Sequence, residues 1–312
     1  MIKKCGKTLI RDCPTRWNST FDMLRRLLEV KADLNQVLED LSMDTLPNSD
    51  WSKMENLIKL LEPFAIHTDQ LQNDSQSLSH IVPCLLNLEA HLLASTTSKQ
   101  LAQLMLKSLK QRFAGILNPE STHFDATPAA ACLLDPSVSV VFQAPEMAPL
   151  RRAAESFVQN MAAQYSPPPA PASPDVTTIA TETAPQHSAS TVLQKYRFLA
   201  SRLEVNVLLT NQPDGSVSNS LKTEMKKYAE DVKQGVTETP LKFWSSREKN
   251  VYPKLAPVAL DLVSAPASQA FVERIFSVCG LLSSGLRNRT TTSLERRVFL
   301  KVNKKFLDSV SK

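Results

Sequence analysis

The chain has 312 residues, of which 42% are hydrophobic and 6% aromatic, and it carries 6 glycines, 20 prolines and a formal net charge of +5. This length is enough for two domains, and the scarcity of glycine favours helices joined by linkers over a sheet protein with many tight turns. No apolar run approaches the roughly 18 residues of a membrane span, and residues 1–6 lack the apolar core of a signal peptide, so we expect a soluble, intracellular and mainly α protein.

The first half of the chain has the apolar periodicity of packed helices. A short strand is predicted over Thr8–Ile10. It is followed by a helix that Asn18–Thr20 cap and whose apolar residues recur with a 3.6-residue period. A turn at Pro47–Asp50 leads to a second helix, which opens at Trp51 and is bent or interrupted by Pro63.

Two leucine-rich stretches, 78–93 and 101–117, extend this pattern, so residues 21–164 are predicted to form an all-helical domain. The leucine and methionine stripes of these helices are interpreted as its core. Residues 165–191 are rich in proline, alanine, serine and threonine and contain almost no large apolar residue, which is typical of a disordered linker. Residues 192–312 follow as a C-terminal helical module.

The segment 264–280 of that module, S-A-P-A-S-Q-A-F-V-E-R-I-F-S-V-C-G, sets two charged residues inside an otherwise apolar helix. Ser268 is its predicted N-cap and Gly280 its predicted end. Glu273 and Ser277 lie one turn apart and form a polar stripe beside Arg274. Such a stripe faces either solvent or a binding site, and the pattern by itself favours solvent.

The five cysteines are scattered through the sequence, with no C-x-x-C pair and no histidine pair at metal-ligand spacing. Free thiols in a reducing compartment are therefore expected. A Cys–His nucleophile pair could form only through folding, and no cysteine has an activating neighbour in the sequence. The sequence predicts no metal site and no cofactor.

The two ends of the chain are basic. Residues 1–31 hold eight basic and three acidic residues, and residues 281–312 hold eight basic and two acidic residues. Contact with a nucleic-acid backbone and solvated helix faces explain this charge equally well. The candidate nucleic-acid contacts are Arg16, Trp17, Arg287, Arg289, Arg296 and Arg297. Trp17 either stacks on an unpaired base or fills the junction between the strand and the helical domain.

The segment 264–280 resembles the P-A-S-x-x-x-x-E-R-x-F-S signature of hAT-superfamily transposases and of host proteins derived from them, several of which carry BED zinc fingers. Residues 12–20, D-C-P-T-R-W-N-S-T, resemble the T-R-W-N-S block of the same family. Further blocks match in the family's order: Trp51 with Leu61–Phe64, Leu133–Pro136, and Phe243–Trp244 followed by Val251–Ala256. Ordered matches across most of the chain favour common descent over coincidence.

The resemblance implies a mainly α fold made of a helical insertion domain, a partial RNase H-like remnant that includes residues 1–20, and a C-terminal dimerisation module. The family's RNase H-like domain uses two aspartates and one glutamate to hold two divalent metals. Glu273 matches the glutamate position, whereas both aspartates belong upstream of the T-R-W-N-S block. Asp135 is interpreted as a turn or cap residue before Pro136. We therefore expect an N-terminally truncated chain without a BED finger, without transposase or nuclease activity, and without a small-molecule substrate.

In relatives, the C-terminal segments of two protomers pack together, so the resemblance implies a homodimer or a heterodimer with related hAT-derived proteins. The candidate dimer contacts are Trp244, Tyr252, Leu255, Phe271, Ile275, Phe276, Val298, Phe299 and Val302. DNA is a further expected partner. A nuclear location is expected because proteins of this family act on DNA. Three interpretations stay open: an interaction protein, a weak nucleic-acid-binding module using the basic ends and Trp17, and a non-functional truncated element copy.

Overall fold

The computed structural model describes residues 6–13, 17–164, 221–283, 291–304 and 307. These residues contain thirteen α-helices, three 3-10 turns and no strand, which confirms the mainly α fold. The predicted linker 165–191 and the first part of the C-terminal module lie outside the described residues. The strand predicted at Thr8–Ile10 is wrong: this segment is irregular, and the guanidinium Nη1 of Arg26 donates to the Thr8 carbonyl oxygen at 2.9 Å.

The helices before residue 165 form one series. They are α1 (Trp17–Glu29), α2 (Lys31–Asp40), α3 (Asn48–Leu71), α4 (Ile81–Ala94), α5 (Lys99–Arg112), α6 (Ala114–Leu117), α7 (Thr127–Leu133) and α8 (Ala148–Gln164). The 3-10 turns lie at Leu78–His80, Ser139–Gln143 and Pro145–Met147. Helix α3 continues through Pro63 to Leu71, and the predicted leucine-rich helix 101–117 divides into α5 and α6.

Five helices follow residue 220: α9 (Leu221–Gln234), α10 (Pro240–Arg247), α11 (Leu255–Ser264), α12 (Ala270–Ser283) and α13 (Thr291–Val302). Helices α9, α10 and α11 pack against α7 and α8 in the main core of the described chain. The predicted C-terminal module therefore shares a core with the predicted insertion domain.

Small and large side chains are matched in this core. Ala129, Ala130 and Ala131 of α7 are fully buried, so neighbouring helices can approach its backbone closely. Aromatic rings from the C-terminal region occupy the space around α7, and they belong to Tyr228, Phe243, Trp244 and Tyr252. A smaller apolar cluster of Leu60, Leu92 and Ala102 joins α3, α4 and α5.

Asp135 is a turn residue, as predicted. Its Oδ1 accepts hydrogen bonds from the Ser137 amide at 2.9 Å and from the Ser137 hydroxyl at 2.6 Å. Its Oδ2 accepts a 2.5 Å bond from the hydroxyl of Ser79, in the turn before α4. The carboxylate is fully buried and fixes the loop that leads out of α7.

Among the described helices, none combines the length and the apolar character that crossing a bilayer would require.

Candidate protein interface

The segment between α11 and α12 is attached to the turn that follows α3. The Leu78 amide donates to the Ala265 carbonyl at 2.8 Å, and the Ala267 amide donates to the Gln76 carbonyl at 3.0 Å. These two bonds flank an antiparallel bridge between Ser77 and Pro266. The start of the C-terminal helix pair is thereby connected to residues almost 200 positions earlier in the chain.

Two side chains near the start of α12 reach the end of α3. The Ser268 hydroxyl donates to the Leu71 carbonyl at 2.8 Å and lies 3.4 Å from the Ala270 amide, so it contacts both helices. The Arg274 guanidinium donates to the Gln72 carbonyl at 3.2 Å and forms an ion pair with the Asp74 carboxylate. Arg274 is exposed on the surface, so the polar stripe of α12 faces solvent.

Glu273 is exposed in the first turn of α12, where a carboxylate is stabilised by the helix dipole. Within the described ranges, no group of three or more histidine, cysteine, aspartate or glutamate side chains is arranged to hold a metal ion. One carboxylate cannot by itself assemble the two-metal centre that the family resemblance associates with this position.

Large apolar side chains are exposed along α12 and α13. None of the α12 residues is buried, and Phe276 keeps 68% of its surface accessible. On α13, which packs against α12, Phe299 keeps 62%. The other exposed apolar residues of this pair are Phe271, Val272, Leu281, Leu300 and Val302, and Leu307 is exposed beyond the end of α13. Ile275 is half-buried and Val298 is buried.

Gly280 does not end α12, contrary to the sequence prediction, because the helix continues to Ser283. The apolar stripe therefore extends one turn further than the glycine indicated. We call the exposed apolar residues of α12 and α13 the C-terminal apolar surface.

Three other predicted dimer contacts lie in the core. Trp244, Tyr252 and Leu255 are fully buried. The Tyr252 hydroxyl donates to the Asp231 carboxylate at 2.5 Å, and burial together with that carboxylate raises the pKa of Tyr252. The Leu255 amide donates to the Glu224 carboxylate at 2.9 Å. These residues stabilise their own chain. The sequence prediction placed them in a dimer contact, whereas in this structure they are buried inside a single chain.

Residues 17–19 of the T-R-W-N-S block form the start of α1. The Asp12 carboxylate accepts hydrogen bonds from the hydroxyls of Ser19 and Thr20, both at 2.8 Å, and these bonds lower the pKa of Asp12. The Ser19 hydroxyl also accepts a hydrogen bond from the Cys13 amide at 2.8 Å. A carboxylate upstream of the helix, missed by the sequence analysis, therefore joins the predicted serine and threonine in fixing its first turn.

The predicted nucleic-acid contacts are only partly described. Arg16, Arg287 and Arg289 lie outside the described residues, as does the side chain of Trp17. Arg296, Arg297 and Lys301 are exposed on α13, and Lys304 is exposed just beyond its end. Glu295 is the sole acidic residue among residues 291–304, so the described part of this helix is basic.

Two family models match the chain. Residues 1–60 match the ZBED1 RNase-like helical domain, and residues 223–301 match the hAT family C-terminal dimerisation region. The second match covers nearly all of the segment from α9 to α13. It therefore includes both the helices buried in the shared core and the C-terminal apolar surface.

The chain is also similar to a human protein, zinc finger BED domain-containing protein 4. The two are 24% identical over 307 residues, which is 95% of this chain and 24% of the human protein. The chain thus spans about a quarter of that relative's length. These matches agree with the T-R-W-N-S and E-R-x-F-S blocks, and together they show that the chain is similar to hAT-transposase-derived proteins of the BED zinc-finger group, with an hAT dimerisation region at residues 223–301.

Proposed function

We propose that this protein is a catalytically inactive interaction protein that dimerises, with itself or with a related hAT-derived protein, through the C-terminal apolar surface. The observation that carries the proposal is the exposure of Phe271, Phe276, Phe299 and Leu300 on two helices that pack together but leave these side chains outside the core. Burying such side chains contributes about 25 cal/mol per Å² of apolar surface to the free energy of association. A second copy of the helix pair supplies a matching surface.

The exposed phenylalanines belong to the matched dimerisation region, whereas other exposed leucines lie outside it. Leu104 of α5 is a suitable control because it keeps 65% of its surface accessible, close to the value for Phe276. Changing either residue to serine removes a similar kind of exposed apolar contact. Only the change on α12 should affect dimerisation.

Sedimentation equilibrium across a concentration series tests this proposal. We expect the wild-type chain to be a dimer, the Phe276→Ser/Phe299→Ser variant to be shifted towards monomer, and Leu104→Ser to associate like wild type. Unchanged far-UV circular dichroism would show that the double variant retains its fold. A wild-type chain that is monomeric at micromolar concentration would contradict the proposal, and heterogeneous aggregates would favour the non-functional element copy.

The proposed inactivity rests on the family's need for three metal-binding carboxylates. The resemblance assigns one of these three, Glu273, to this chain. The test is incubation of the protein with labelled DNA in the presence of Mg²⁺ or Mn²⁺. We expect no cleavage above background. Cleavage that disappears in Glu273→Gln would show an active enzyme, whereas cleavage that persists in this variant would indicate a contaminant.

A second candidate function is weak nucleic-acid binding, which the exposed cations of α13 favour. Each lysine or arginine that meets a phosphate releases counterions, so binding should weaken steeply with added salt. Arg296→Glu/Arg297→Glu should abolish this binding, and Lys99→Glu/Lys107→Glu on α5 provides a control of equal charge change. Binding that does not depend on salt would exclude this function.

We place the protein in the nucleus, in association with chromatin. The support is its similarity to a human protein whose name includes a BED zinc finger, together with the basic α13. Imaging of a tagged chain, with and without the Phe276→Ser/Phe299→Ser changes, would show whether nuclear location depends on dimerisation. A uniformly cytoplasmic signal for wild type would contradict this placement.

A further inference from the structure

We infer that Asp74 and Arg274 form a clamp that sets the orientation of α12 relative to the helical body, and that this clamp presents the C-terminal apolar surface for association. The clamp itself is inferred from contacts within one chain. Its consequence for association rests on the proposed function.

Helix α12 needs such a device because packing alone does not hold it on the body. None of its residues is buried, and its extensive helix contact is with α13, whose apolar residues are themselves largely exposed. The described contacts to the body are concentrated at one end of α12. They are the paired backbone at 265–267, the Ser268 hydroxyl and the Arg274 guanidinium.

The partners of Ser268 and Arg274 explain why polar side chains suit this place. Leu71 is the last residue of α3 and Gln72 is its C-cap, so their carbonyls belong to the helix end that lacks intrahelical donors. The Ser268 hydroxyl donates to the first of these carbonyls and Arg274 Nη1 to the second. A cation is also stabilised by the negative end of the α3 dipole.

Arg274 makes two contacts with different nitrogens: Nη1 faces the Gln72 carbonyl and Nη2 faces the Asp74 carboxylate. A planar guanidinium fixes these two directions together, which a lysine ammonium cannot do. The neighbouring turn is ordered as well, because the Asn73 side-chain oxygen accepts the Ser75 amide at 3.0 Å and the Ser75 hydroxyl at 2.9 Å. Asp74 is therefore presented from a defined turn.

These contacts lie in the first turns of α12, whereas Phe276 and Leu281 lie further along it. A small rotation at the clamped end displaces the apolar residues at the other end. Fixing the helix before association lowers the ordering cost that binding must overcome. Arg274 and Asp74 are thus positioning residues for the C-terminal apolar surface and need not touch the partner.

Hydrogen exchange of the segment 265–276 tests the clamp independently of association, at a concentration where every variant is monomeric. The variants are Arg274→Ala, Asp74→Ala, the double variant and Arg274→Lys. Arg151→Ala is the control, since Arg151 pairs with Glu155 on α8 and is about as exposed as Arg274, at 48% against 50%. We expect each single alanine variant to speed exchange about three- to tenfold, given the modest strength of an exposed charged pair.

The double variant should exchange no faster than Arg274→Ala, because either change removes the same ion pair. Arg274→Lys should recover part of the protection, and Arg151→Ala should leave the segment unchanged. The inference that the clamp exists would be overturned if Arg274→Ala exchanged at the wild-type rate. It would also be overturned if the effects of the two alanine changes multiplied in the double variant. Either result would do so whether or not the wild-type chain dimerises.

The dimer dissociation constant gives the second readout. With a dimeric wild type, Arg274→Ala and Asp74→Ala should each raise this constant about three- to tenfold while far-UV circular dichroism stays the same. Faster exchange without a change in the constant would separate the clamp from association and overturn the inference that it presents the surface. A monomeric wild type would contradict the proposed function and that inference together, while the exchange data would still decide the clamp.

Discussion

The indole Nε1 of Trp244 donates a 2.7 Å hydrogen bond to the carbonyl oxygen of Leu134, 110 residues earlier in the chain. The Tyr228 hydroxyl donates to the neighbouring Leu133 carbonyl at 3.0 Å. Leu133 is the last residue of α7 and Leu134 is its C-cap, so both carbonyls lie where a helix lacks internal donors. The dimerisation region thus caps α7 here and caps α3 through Ser268 and Arg274.

Replacing Trp244 should therefore destabilise the whole chain. Trp244→Phe keeps an aromatic ring but leaves the buried Leu134 carbonyl without its donor, at a cost of about 1–3 kcal/mol. Trp244→Ala also leaves a cavity and should cost about 3–5 kcal/mol. Urea unfolding followed by circular dichroism measures both values.

Tyr228→Phe is the matched comparison, because it removes the hydroxyl that donates to Leu133 while keeping the ring, and it should cost less than Trp244→Ala. Since α7–α11 share a core, circular dichroism and fluorescence should report one coincident transition. A Trp244→Phe variant as stable as wild type would show that the Leu134 hydrogen bond contributes no net stability.

The helices were predictable because their apolar residues recur with the helical period, as in α1 and α3. The same periodicity does not tell which partner covers an apolar face. Trp244 and Phe276 both belong to apolar blocks of the dimerisation region, yet one is buried and the other exposed. The difference depends on long-range packing against α7, which local sequence does not encode.

The candidate site was predictable in its residues but not in its contacts. The E-R-x-F-S block located Glu273, Arg274 and Phe276, whereas Asp74 lies in a polar turn without any family signature. Pairing residues 200 positions apart requires knowing that the chain after α11 returns to the end of α3. The strand predicted at Thr8–Ile10 failed for a related reason, since a strand forms only where the fold supplies a neighbour.

His67 should make the free energy of unfolding depend on pH once the pH falls below about 7. Its imidazole is buried, with Nδ1 2.8 Å from the Gln70 side-chain oxygen and Nε2 2.7 Å from the Asn87 amide nitrogen. Burial lowers the pKa of His67 from its ordinary value of 6.5, and the hydrogen bond to Gln70 opposes this only in part. As pH falls, the unfolded chain therefore takes up this proton before the folded chain does.

The contribution of His67 to the free energy of unfolding is consequently fully present above its unfolded-state pKa near 6.5. This contribution declines as the pH falls towards the lower pKa of the folded state. Urea midpoints measured at intervals across this range should show the decline in wild type. His67→Gln should flatten it, and His123→Gln should not, because His123 is exposed. An identical pH slope in wild type and His67→Gln would contradict the prediction.

Thiol reactivity should follow burial. Cys13 is exposed and Cys279 half-buried, whereas Cys84 and Cys132 lie in the core. Burial, with the nearby Asp135 carboxylate, raises the pKa of the Cys132 thiol, which disfavours the reactive thiolate. With a water-soluble disulfide reagent, Cys13 should react in the native state, and Cys84 and Cys132 only after denaturation.

Peptide mass spectrometry at timed intervals would identify each modified cysteine. Cys13→Ser should remove a fast phase without changing the unfolding midpoint. Rapid native modification of Cys132 would show that the core around α7 opens far more readily than its packing indicates.

Two glycines should respond to alanine in opposite ways. Gly280 lies inside α12, and a Cβ there would meet no atom within 4 Å, so Gly280→Ala should stabilise that helix by about 0.5–1 kcal/mol. A Cβ on Gly115 would lie 2.9 Å from the His123 carbonyl oxygen, so Gly115→Ala forces the backbone apart and should destabilise the chain. Thermal unfolding compares the midpoints, and hydrogen exchange shows whether the Gly280 effect is confined to α12. A destabilised Gly280→Ala would mean that this face of α12 is covered in solution, as it would be if the partner's helix approached closely at that glycine.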